Sequence, residues 1–240
     1  MKNFDLLSFA NPDELAQAAA AAWVEAVAAS GRAGKTHSVA LSGGRITQKF
    51  FTAAVTQSRS RVIAFGHVHF FWADERCVPP SHPDSNFKMA NELLLAPLNI
   101  ATDKIHRLRG EDSPAVAVQN AETELRQVTV SYKNRQPVLD LVLLGMGEDG
   151  HVASLFPGAG AEILDCTAPF LVVENSPKPP PTRISLSYAA IAAAGEVWVL
   201  ASGTGKESAL RKSLETDGRT PLARVIRSRP VKIFSDLAGI

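Results

Sequence analysis

The 240-residue chain is 45% hydrophobic and 20% charged, which is the composition of an ordinary globular protein. Its 25 Lys and Arg residues are balanced by 24 Asp and Glu residues, so the net charge of +1 favours neither nucleic acid nor an anionic membrane as a partner. Two cysteines are too few for a disulfide framework, and no apolar run approaches the roughly 18 residues of a membrane span. Asp5 interrupts the segment that a signal peptide would keep apolar. We therefore expect a cytoplasmic protein that binds its ligands through local clusters.

The first third of the chain predicts a helix, a strand and a second helix. Asn11-Pro-Asp-Glu14 has the cap, proline and acids of a helix start, and the alanine-rich stretch to about Ser30 continues it. His37–Leu41 is a short strand, followed by Ser42-Gly-Gly-Arg45 and a helix through Phe51. A glycine turn between strand and helix can hold a phosphate on backbone N–H groups, although a tight structural turn fits the same residues. The serine and the arginine favour an anion.

A second strand, 67–73, runs directly into the charged residues Asp74-Glu75-Arg76. A charge run at the end of a buried strand needs partners, and strand ends of this kind bind ligands in open α/β sheets. His67 and His69 share one face of the strand, but no further ligand cluster follows, so a metal pair is disfavoured. Asn86 belongs to the loop and cap before a helix over 87–95.

The segment 138–144 is an apolar, β-branched run typical of a parallel strand that is buried on both faces. It ends in the glycine-rich loop Gly145-Met-Gly-Glu-Asp-Gly-His-Val-Ala-Ser-Leu-Phe-Pro-Gly158. This loop places His151, whose side chain titrates near neutrality, next to the acids Glu148 and Asp149. A solvated turn would explain the glycines, but a reactive triplet between two buried segments favours a general base with an orienting carboxylate.

The remaining elements complete a repeating pattern of strands and helices. They are a short strand at 104–108, a helix from Ser113 to about Val130, strands at 170–174, 184–186, 195–201 and 231–234, and helices at 188–194, 207–214 and 221–226. The proline-rich run 175–183 is interpreted as a rigid flap that presents Lys178 and Arg183, and Ser202-Gly-Thr-Gly-Lys206 as a second glycine turn before a helix. The pattern predicts one α/β domain over 1–240, with a single doubly wound, mostly parallel sheet flanked by helices in the Rossmann-like manner.

The strand ends together predict an anion cradle, a base and a cation around one site. That combination suits a small phosphorylated molecule whose carbonyl becomes an oxyanion. Hydrolysis and isomerisation both fit these residues.

Six motifs carry a resemblance to a known family. In chain order they are Leu41-Ser-Gly-Gly44, Trp72-Ala-Asp-Glu-Arg-Cys-Val-Pro79, Ser85-Asn-Phe87, the loop 145–158, Ser176-Pro-Lys-Pro-Pro-Pro-Thr-Arg183 and Gly205-Lys206. Together they resemble the 6-phosphogluconolactonase family, in its order and over nearly the whole chain. The resemblance implies hydrolysis of 6-phosphoglucono-δ-lactone to 6-phosphogluconate in the pentose phosphate pathway, with a sugar phosphate as substrate and no cofactor or metal.

The resemblance also implies roles for individual residues. His151 would be the base that activates water, Asp149 would orient it, and Arg76 would stabilise the oxyanion. The residues implied in substrate binding are Ser42, Gly43, Gly44, Arg45, Lys206 and Arg183 for the phosphate, and Asp74, Asn86 and Lys178 for the sugar. We expect a monomer or a weak homo-oligomer.

One motif departs from the family pattern, which commonly continues Ser-Gly-Gly with Ser-Thr-Pro. This chain has Arg45-Ile-Thr47 instead, so charge could replace the missing hydroxyls. Two alternatives remain. A glucosamine-6-phosphate deaminase resembles the chain at Ser-Gly-Gly and Asp-Gly-His but has a carboxylate where Phe156 stands. A silent sugar-phosphate sensor is disfavoured because His151 and Arg76 are both retained.

Overall fold

A computed structural model describes residues 3–240. Met1 and Lys2 lie outside the described residues. The expectations of no signal peptide and of one domain over 1–240 both include these two residues. The strands are β1 (Phe4–Ser8), β2 (His37–Leu41), β3 (Val68–Trp72), β4 (Asp74–Arg76), β5 (Tyr132–Lys133), β6 (Gln136–Pro137), β7 (Leu141–Gly145), β8 (Phe170–Val173), β9 (Arg183–Leu186), β10 (Glu196–Ala201) and β11 (Val231–Ser235). The helices are α1 (Pro12–Arg32), α2 (Arg45–Arg61), α3 (Asn86–Ala90), α4 (Pro114–Val128), α5 (Ala161–Leu164), α6 (Tyr188–Ala193), α7 (Glu207–Leu214) and α8 (Pro221–Ser228). A π-helical turn at Asn91–Leu95 continues α3, and a 3-10 turn occupies Thr102–Lys104.

Six strands form one sheet in the order β1-β11-β10-β7-β2-β3, and every pairing in it is parallel. Helices flank the sheet, so the predicted α/β class with a doubly wound, parallel sheet is confirmed. The central strand β7 is buried along Leu141–Leu144, as its apolar sequence predicts.

The strand order reverses between β2 and β7. The chain leaves β2 to form β3 on one side and later returns to form β7 on the other side. At such a switch point the connections leave in opposite directions, which opens a crevice beyond the carboxyl ends of the two strands. The loops at 42–44 and 145–151 therefore meet at one place.

Helix α1 shows why the first predicted helix forms. The Asn11 side chain accepts hydrogen bonds from the backbone N–H groups of Asp13 and Glu14 at 3.1 and 2.9 Å, which satisfies donors that a helix start leaves free. The buried face of the helix carries Trp23, whose ring packs 5.7 Å from that of Phe50 in α2. Burying each large side chain of this kind contributes about 1.5–3 kcal/mol to stability.

The sheet structure differs from the expectations in several parts, because a three-stranded and a two-stranded sheet accompany the six-stranded one where a single sheet was expected. The segment 104–108, predicted to be a strand, makes only a single bridge between Ile105 and Phe70 and begins in the 3-10 turn. Conversely, β1 was not predicted, because it lies at the sheet edge, with three residues only partly buried and Asp5 and Ser8 exposed.

The charged residues Asp74–Arg76 do not simply end a strand but form β4. This short strand pairs antiparallel with β9, and β9 pairs with β8, in a separate three-stranded sheet. Within β4 and β9, Arg76 lies opposite Arg183. The second sheet thus brings the proline-rich segment before β9 to the charged residues after β3.

None of the helices in residues 3–240 combines the length and the apolar character that crossing a bilayer requires.

Candidate active site

A cavity of about 340 Å³ opens at the carboxyl edge of the parallel sheet. Its lining residues are Pro12, Ser42, Gly43, Gly44, Arg45, Ile46, Lys49, Asp74, Arg76, Gly145, Met146, His151, Ala153, Arg183, Ser202, Gly203 and Lys206. All the site residues expected from the sequence are among them except Asp149, Asn86 and Lys178.

His151 and Asp149 form a hydrogen-bonded pair at the end of β7. The imidazole Nδ1 lies 2.5 Å from Asp149 Oδ1, and the same oxygen accepts the His151 backbone N–H at 3.1 Å. A carboxylate at Nδ1 holds the proton on that nitrogen, so Nε2 of the neutral ring is free to accept a proton. Asp149 itself does not line the cavity, so it influences a bound ligand only through the His151 ring.

The pKa values of the pair favour a neutral imidazole beside a charged carboxylate. Burial lowers the pKa of His151, while the hydrogen bond and the charge of Asp149 oppose that change. Burial acts to raise the pKa of Asp149, but the hydrogen bonds from His151 outweigh it, and the net pKa lies below the usual aspartate value. Both groups are therefore in the protonation states that general base catalysis requires near neutral pH.

The loop around His151 has little freedom to move. A side chain on Gly147 would collide with the His151 ring and with the Asp149 carboxylate, so only glycine fits there. Gly147 N–H donates to the His151 carbonyl at 2.9 Å, and the Gly150 carbonyl accepts from Leu222 N–H of α8 at 3.1 Å. The Phe156 ring packs 4.6 Å from the imidazole.

Asp74 faces the cavity from β4 and is held by two neighbours. Its Oδ2 accepts the Ser154 hydroxyl at 2.7 Å, and the Asn86 amide donates to its backbone carbonyl at 2.9 Å. Asn86 also fills the space that a side chain on Gly43 would need. The structure therefore places Asn86 behind the cavity, where it joins the Gly43 turn to Asp74.

Glu75 points away from the cavity and organises the start of α3. Its buried carboxylate accepts backbone N–H bonds from Asn86 and Phe87, each at 2.8 Å, and the Ser85 hydroxyl at 3.0 Å. Burial raises the pKa of Glu75 despite these hydrogen bonds. Glu75 and Arg76 of the charge run thus find their partners in the loop that follows it, whereas the Asp74 carboxylate accepts the hydroxyl of Ser154.

Arg76 and Arg183 bring two guanidinium groups to one wall of the cavity. Arg76 Nη1 donates to the Asp84 carbonyl at 2.7 Å, and its Nε is buried without a hydrogen-bond partner in the described residues. Arg183 donates to the carbonyls of Lys178 and Pro179 at 3.0 and 3.2 Å. Burial, and secondarily repulsion from Arg76, lowers the pKa of Arg183.

These contacts give the two arginines different tasks. Arg183 Nε and Nη2 donate to carbonyls of the proline-rich flap and fix its shape, whereas Nη1 lies 3.5 Å from the Ser154 hydroxyl. Lys178, on that flap, is exposed and does not line the cavity. Arg76 makes one hydrogen bond to a backbone carbonyl and lines the cavity with its guanidinium, which suits a group that receives a ligand.

The opposite end of the cavity is suited to an anion. Ser42 follows β2, and its buried hydroxyl has no partner in the described residues. Gly44 is the N-cap of α2 and no side chain caps that helix, so the positive end of its dipole is available. Arg45 and Lys206 line the same region. Burial lowers the pKa of Lys206, and repulsion from Arg45 adds to the effect.

Several lining residues were not identified from the sequence as site residues. Lys49 lies one turn after Arg45 in α2, and its Nζ forms an ion pair with Asp13 at 2.6 Å. Arg45 and Lys49 are four residues apart after the glycine turn, so they share one face of the helix, and this spacing could have indicated that Lys49 belongs to the site. Ser202 directly follows β10, in the same position that Ser42 has after β2.

The histidines weighed as a metal pair have other partners. His67 Nε2 lies 2.9 Å from the Val27 carbonyl, and His69 Nδ1 lies 2.9 Å from His106 Nε2. Across residues 3–240, no group of three or more His, Cys, Asp or Glu side chains is placed to hold a metal ion.

A sequence model described as glucosamine-6-phosphate isomerases/6-phosphogluconolactonase matches residues 10–234. The chain belongs to this family. Chloroplastic 6-phosphogluconolactonase 3 of Arabidopsis thaliana is a family relative that is 35% identical over 192 residues, which are 77% of this chain and 58% of the relative. The chain therefore spans somewhat more than half the length of that plant relative.

Two further family members match over greater shares of their length. The 6-phosphogluconolactonase of Mycobacterium tuberculosis is 34% identical over 212 residues, covering 86% of this chain and 84% of the relative. The solved structure of 6-phosphogluconolactonase from Trypanosoma brucei superposes with a TM-score of 0.85 at 30% identity, covering 98% of this chain and 96% of that one.

Proposed function

We propose that the chain hydrolyses 6-phosphoglucono-δ-lactone to 6-phosphogluconate, a step of the pentose phosphate pathway. The observation that carries this proposal is the His151 ring, which lines the cavity with its Nδ1 bonded to Asp149 at 2.5 Å. Cationic groups occupy the same cavity, as a phosphorylated substrate requires. The names of the relatives support the same reaction.

His151 acts as the general base. Its Nε2 takes a proton from a water molecule while the water oxygen forms a bond to the lactone carbonyl carbon. When the tetrahedral intermediate collapses, the bond to the ring oxygen breaks, and the imidazolium returns the proton to that oxygen. Asp149 stabilises the imidazolium between the two steps, and a positioned base of this kind contributes about 10²–10⁴ to the rate.

Arg76 stabilises the negative charge that develops on the carbonyl oxygen. Its guanidinium lines the cavity and is already in position, so little reorganisation accompanies the reaction. Its anchor on the Asp84 carbonyl fixes the guanidinium. Removing one such donor typically costs about 10²–10³ in rate.

The phosphate binds at the other end of the cavity. Ser42, Gly43 and Gly44 offer the hydroxyl and the backbone N–H groups at the start of α2. Arg45 and Lys206 supply positive charge, and Arg45 takes the place of the hydroxyl side chains that the family commonly has. Binding the phosphate at one end and the carbonyl at the other fixes the lactone for attack.

The remaining substrate-binding residues shape the sugar site. Asp74 faces the cavity and is suited to accept a hydrogen bond from a sugar hydroxyl. Asn86 acts through Asp74 and Gly43. Arg183 lines the cavity and adds positive charge for the phosphate, and it also holds the flap that carries Lys178. Lys178 is close enough to lower the pKa of His151 by charge repulsion, which supports a position at the cavity entrance.

The test is the rate of acid release from freshly generated 6-phosphogluconolactone, corrected for spontaneous hydrolysis, with glucosamine-6-phosphate assayed in parallel. Acceleration with the lactone, lost in His151→Ala, is expected. Formation of ammonia and fructose-6-phosphate from the amino sugar would replace the proposal with a deaminase, in spite of the apolar Phe156 beside the base. Inactivity on both substrates would favour a binding protein for sugar phosphates.

The proposed activity includes four broader expectations. The chain acts as one α/β domain over 1–240, as a monomer or a weak homo-oligomer, and in the cytoplasm. The reaction proceeds without metal or cofactor, because His151 and Arg76 supply the base and the electrophile. Light scattering coupled to gel filtration measures the oligomeric state, and retention of activity after chelation tests the metal expectation.

A further inference from the structure

The loop that carries His151 makes a second contact with the cavity wall, through a buried serine. Ser154 is completely buried and does not line the cavity. Its hydroxyl donates to Asp74 Oδ2 at 2.7 Å, and its backbone N–H donates to the Ser185 hydroxyl of β9 at 3.2 Å. Ser154 therefore joins the His151 loop to both β4 and β9, the strands that carry the charged wall.

The hydroxyl of Ser154 lies between an anion and a cation. An ionised carboxylate only accepts hydrogen bonds, so the serine proton lies on Asp74. Arg183 Nη1, which only donates, lies 3.5 Å from the oxygen of the same hydroxyl. The serine oxygen thus faces the positive charge and its proton faces the negative charge, so the hydroxyl dipole suits both neighbours.

The backbone around Ser154 adopts a conformation that favours glycine. Ala153 has a φ of 48°, in the left-handed region that a side chain disfavours. Leu155 N–H closes the turn by donating to the Val152 carbonyl at 2.9 Å. A strained turn persists only where its surroundings hold it, and here the turn directs Ser154 into its contact with Asp74.

One oxygen of the Asp74 carboxylate remains available to a ligand. Oδ2 accepts the Ser154 hydroxyl, whereas Oδ1 lies 3.4 Å from the Asn86 amide nitrogen, which is a long and weak contact. Because Asp74 lines the cavity, we expect Oδ1 to be the oxygen that a ligand hydroxyl meets. Without the serine hydroxyl, the carboxylate would lose the bond that fixes which oxygen is presented.

We propose that Ser154 is a positioning residue for the sugar, because it holds the Asp74 carboxylate in the orientation in which Oδ1 accepts a hydrogen bond from a sugar hydroxyl. The inference rests on the proposed function. Ser154 does not touch the ligand and acts on it through Asp74. Arg183 depends less on Ser154, because its Nε and Nη2 are bonded to the flap carbonyls. The contribution of Ser154 therefore concerns the sugar and not the phosphate.

The experiment measures the affinity of the chain for 6-phosphogluconate and for inorganic phosphate by calorimetry at neutral pH. Ser154→Ala is expected to weaken the binding of 6-phosphogluconate about tenfold, as losing a hydrogen bond to a charged group does. The affinity for inorganic phosphate, which lacks the sugar, should stay within about twofold of wild type. Ser187→Ala is the matched control, since Ser187 is equally buried but caps α6 and does not line the cavity; it should leave both affinities in place.

A double-mutant cycle separates an effect through Asp74 from a general loss of structure. In Asp74→Ala the partner of the serine hydroxyl is absent, so adding Ser154→Ala should change the affinity for 6-phosphogluconate by less than about twofold. If Ser154→Ala does not fold, Ser154→Cys keeps the approximate size of the side chain and replaces the hydroxyl with a weak donor. The same selective loss is then expected with a smaller magnitude.

An unchanged affinity for 6-phosphogluconate in the Ser154 variant would overturn the inference. An equal loss with inorganic phosphate, an equal loss in Ser187→Ala, or losses that add in the double variant would do the same. These measurements do not depend on turnover. A chain that shows the selective loss but leaves the lactone intact would keep the inference and refute the lactonase proposal. Hydrolysis of the lactone without the selective loss would refute the inference alone, and a wild-type chain that does not bind 6-phosphogluconate would refute both.

Discussion

Asp149→Asn tests the proposed mechanism most directly. The carboxylate accepts the Nδ1 proton of His151 at 2.5 Å, whereas an asparagine amide can instead donate to that nitrogen. The ring would then carry its proton on Nε2 and could not accept one from water. Since a general base contributes about 10²–10⁴, we expect kcat to fall by about that factor while the KM for the lactone changes little.

The same variant should shift the pH dependence of the reaction. Asp149 raises the pKa of His151 against the effect of burial, so its removal lowers that pKa further. Because the base is active when unprotonated, the acidic limb of kcat/KM should move to lower pH. The assay is lactone hydrolysis from pH 5 to 8, corrected for the spontaneous rate. Glu148→Gln is the control, since it changes an exposed acid of the same loop. A kcat within about threefold of wild type, with an unmoved limb, would refute the assignment.

Three further predictions follow from other parts of the structure. Arg76→Ala should lower kcat by about 10²–10³ in the same assay, and an unchanged kcat would contradict its role at the oxyanion. Lys49→Met should raise the KM for the phosphorylated lactone several-fold and leave the KM for unphosphorylated gluconolactone unchanged. Lys35→Met, at an exposed lysine, is the control. Equal effects of Lys49→Met on both substrates would exclude a contact with the phosphate. Burial lowers the pKa of His37 in the folded chain, so the unfolded chain binds the proton more readily, and stability should decrease as pH falls below about 6.5. Urea unfolding from pH 5 to 8 measures this, and His37→Gln should flatten the curve; an equally steep curve in that variant would assign the effect to another group.

The sequence allowed most of the parallel sheet and the His151 loop to be predicted. An apolar strand followed by closely spaced glycines has few alternative structures, because the backbone must turn sharply where the strand ends. The two serine-containing turns were recognisable for the same reason. Roles for these residues came from the family resemblance, and they remain predictions that the variants above test.

Other features depended on contacts that the sequence does not encode locally. The hydrogen bonds of Asn86 to Asp74 and of Arg183 to the flap carbonyls could not be foreseen from the sequence, and the substrate contacts expected of both residues stay predictions. The antiparallel pairing of β4 with β9 could likewise not be predicted from the sequence, since three charged residues rarely indicate a strand.

The alternation of side chains along β4 has a consequence for how the site can vary. Successive residues of a strand point to opposite sides, so Asp74 and Arg76 line the cavity while Glu75 enters the loop before α3. A one-residue insertion or deletion between β3 and β4 would exchange the two sides. It would bury the arginine where the acid now binds backbone N–H groups and would place Glu75 against the substrate. A change of one residue in the length of this segment would therefore displace all three side chains at once, whereas a substitution alters only one of them.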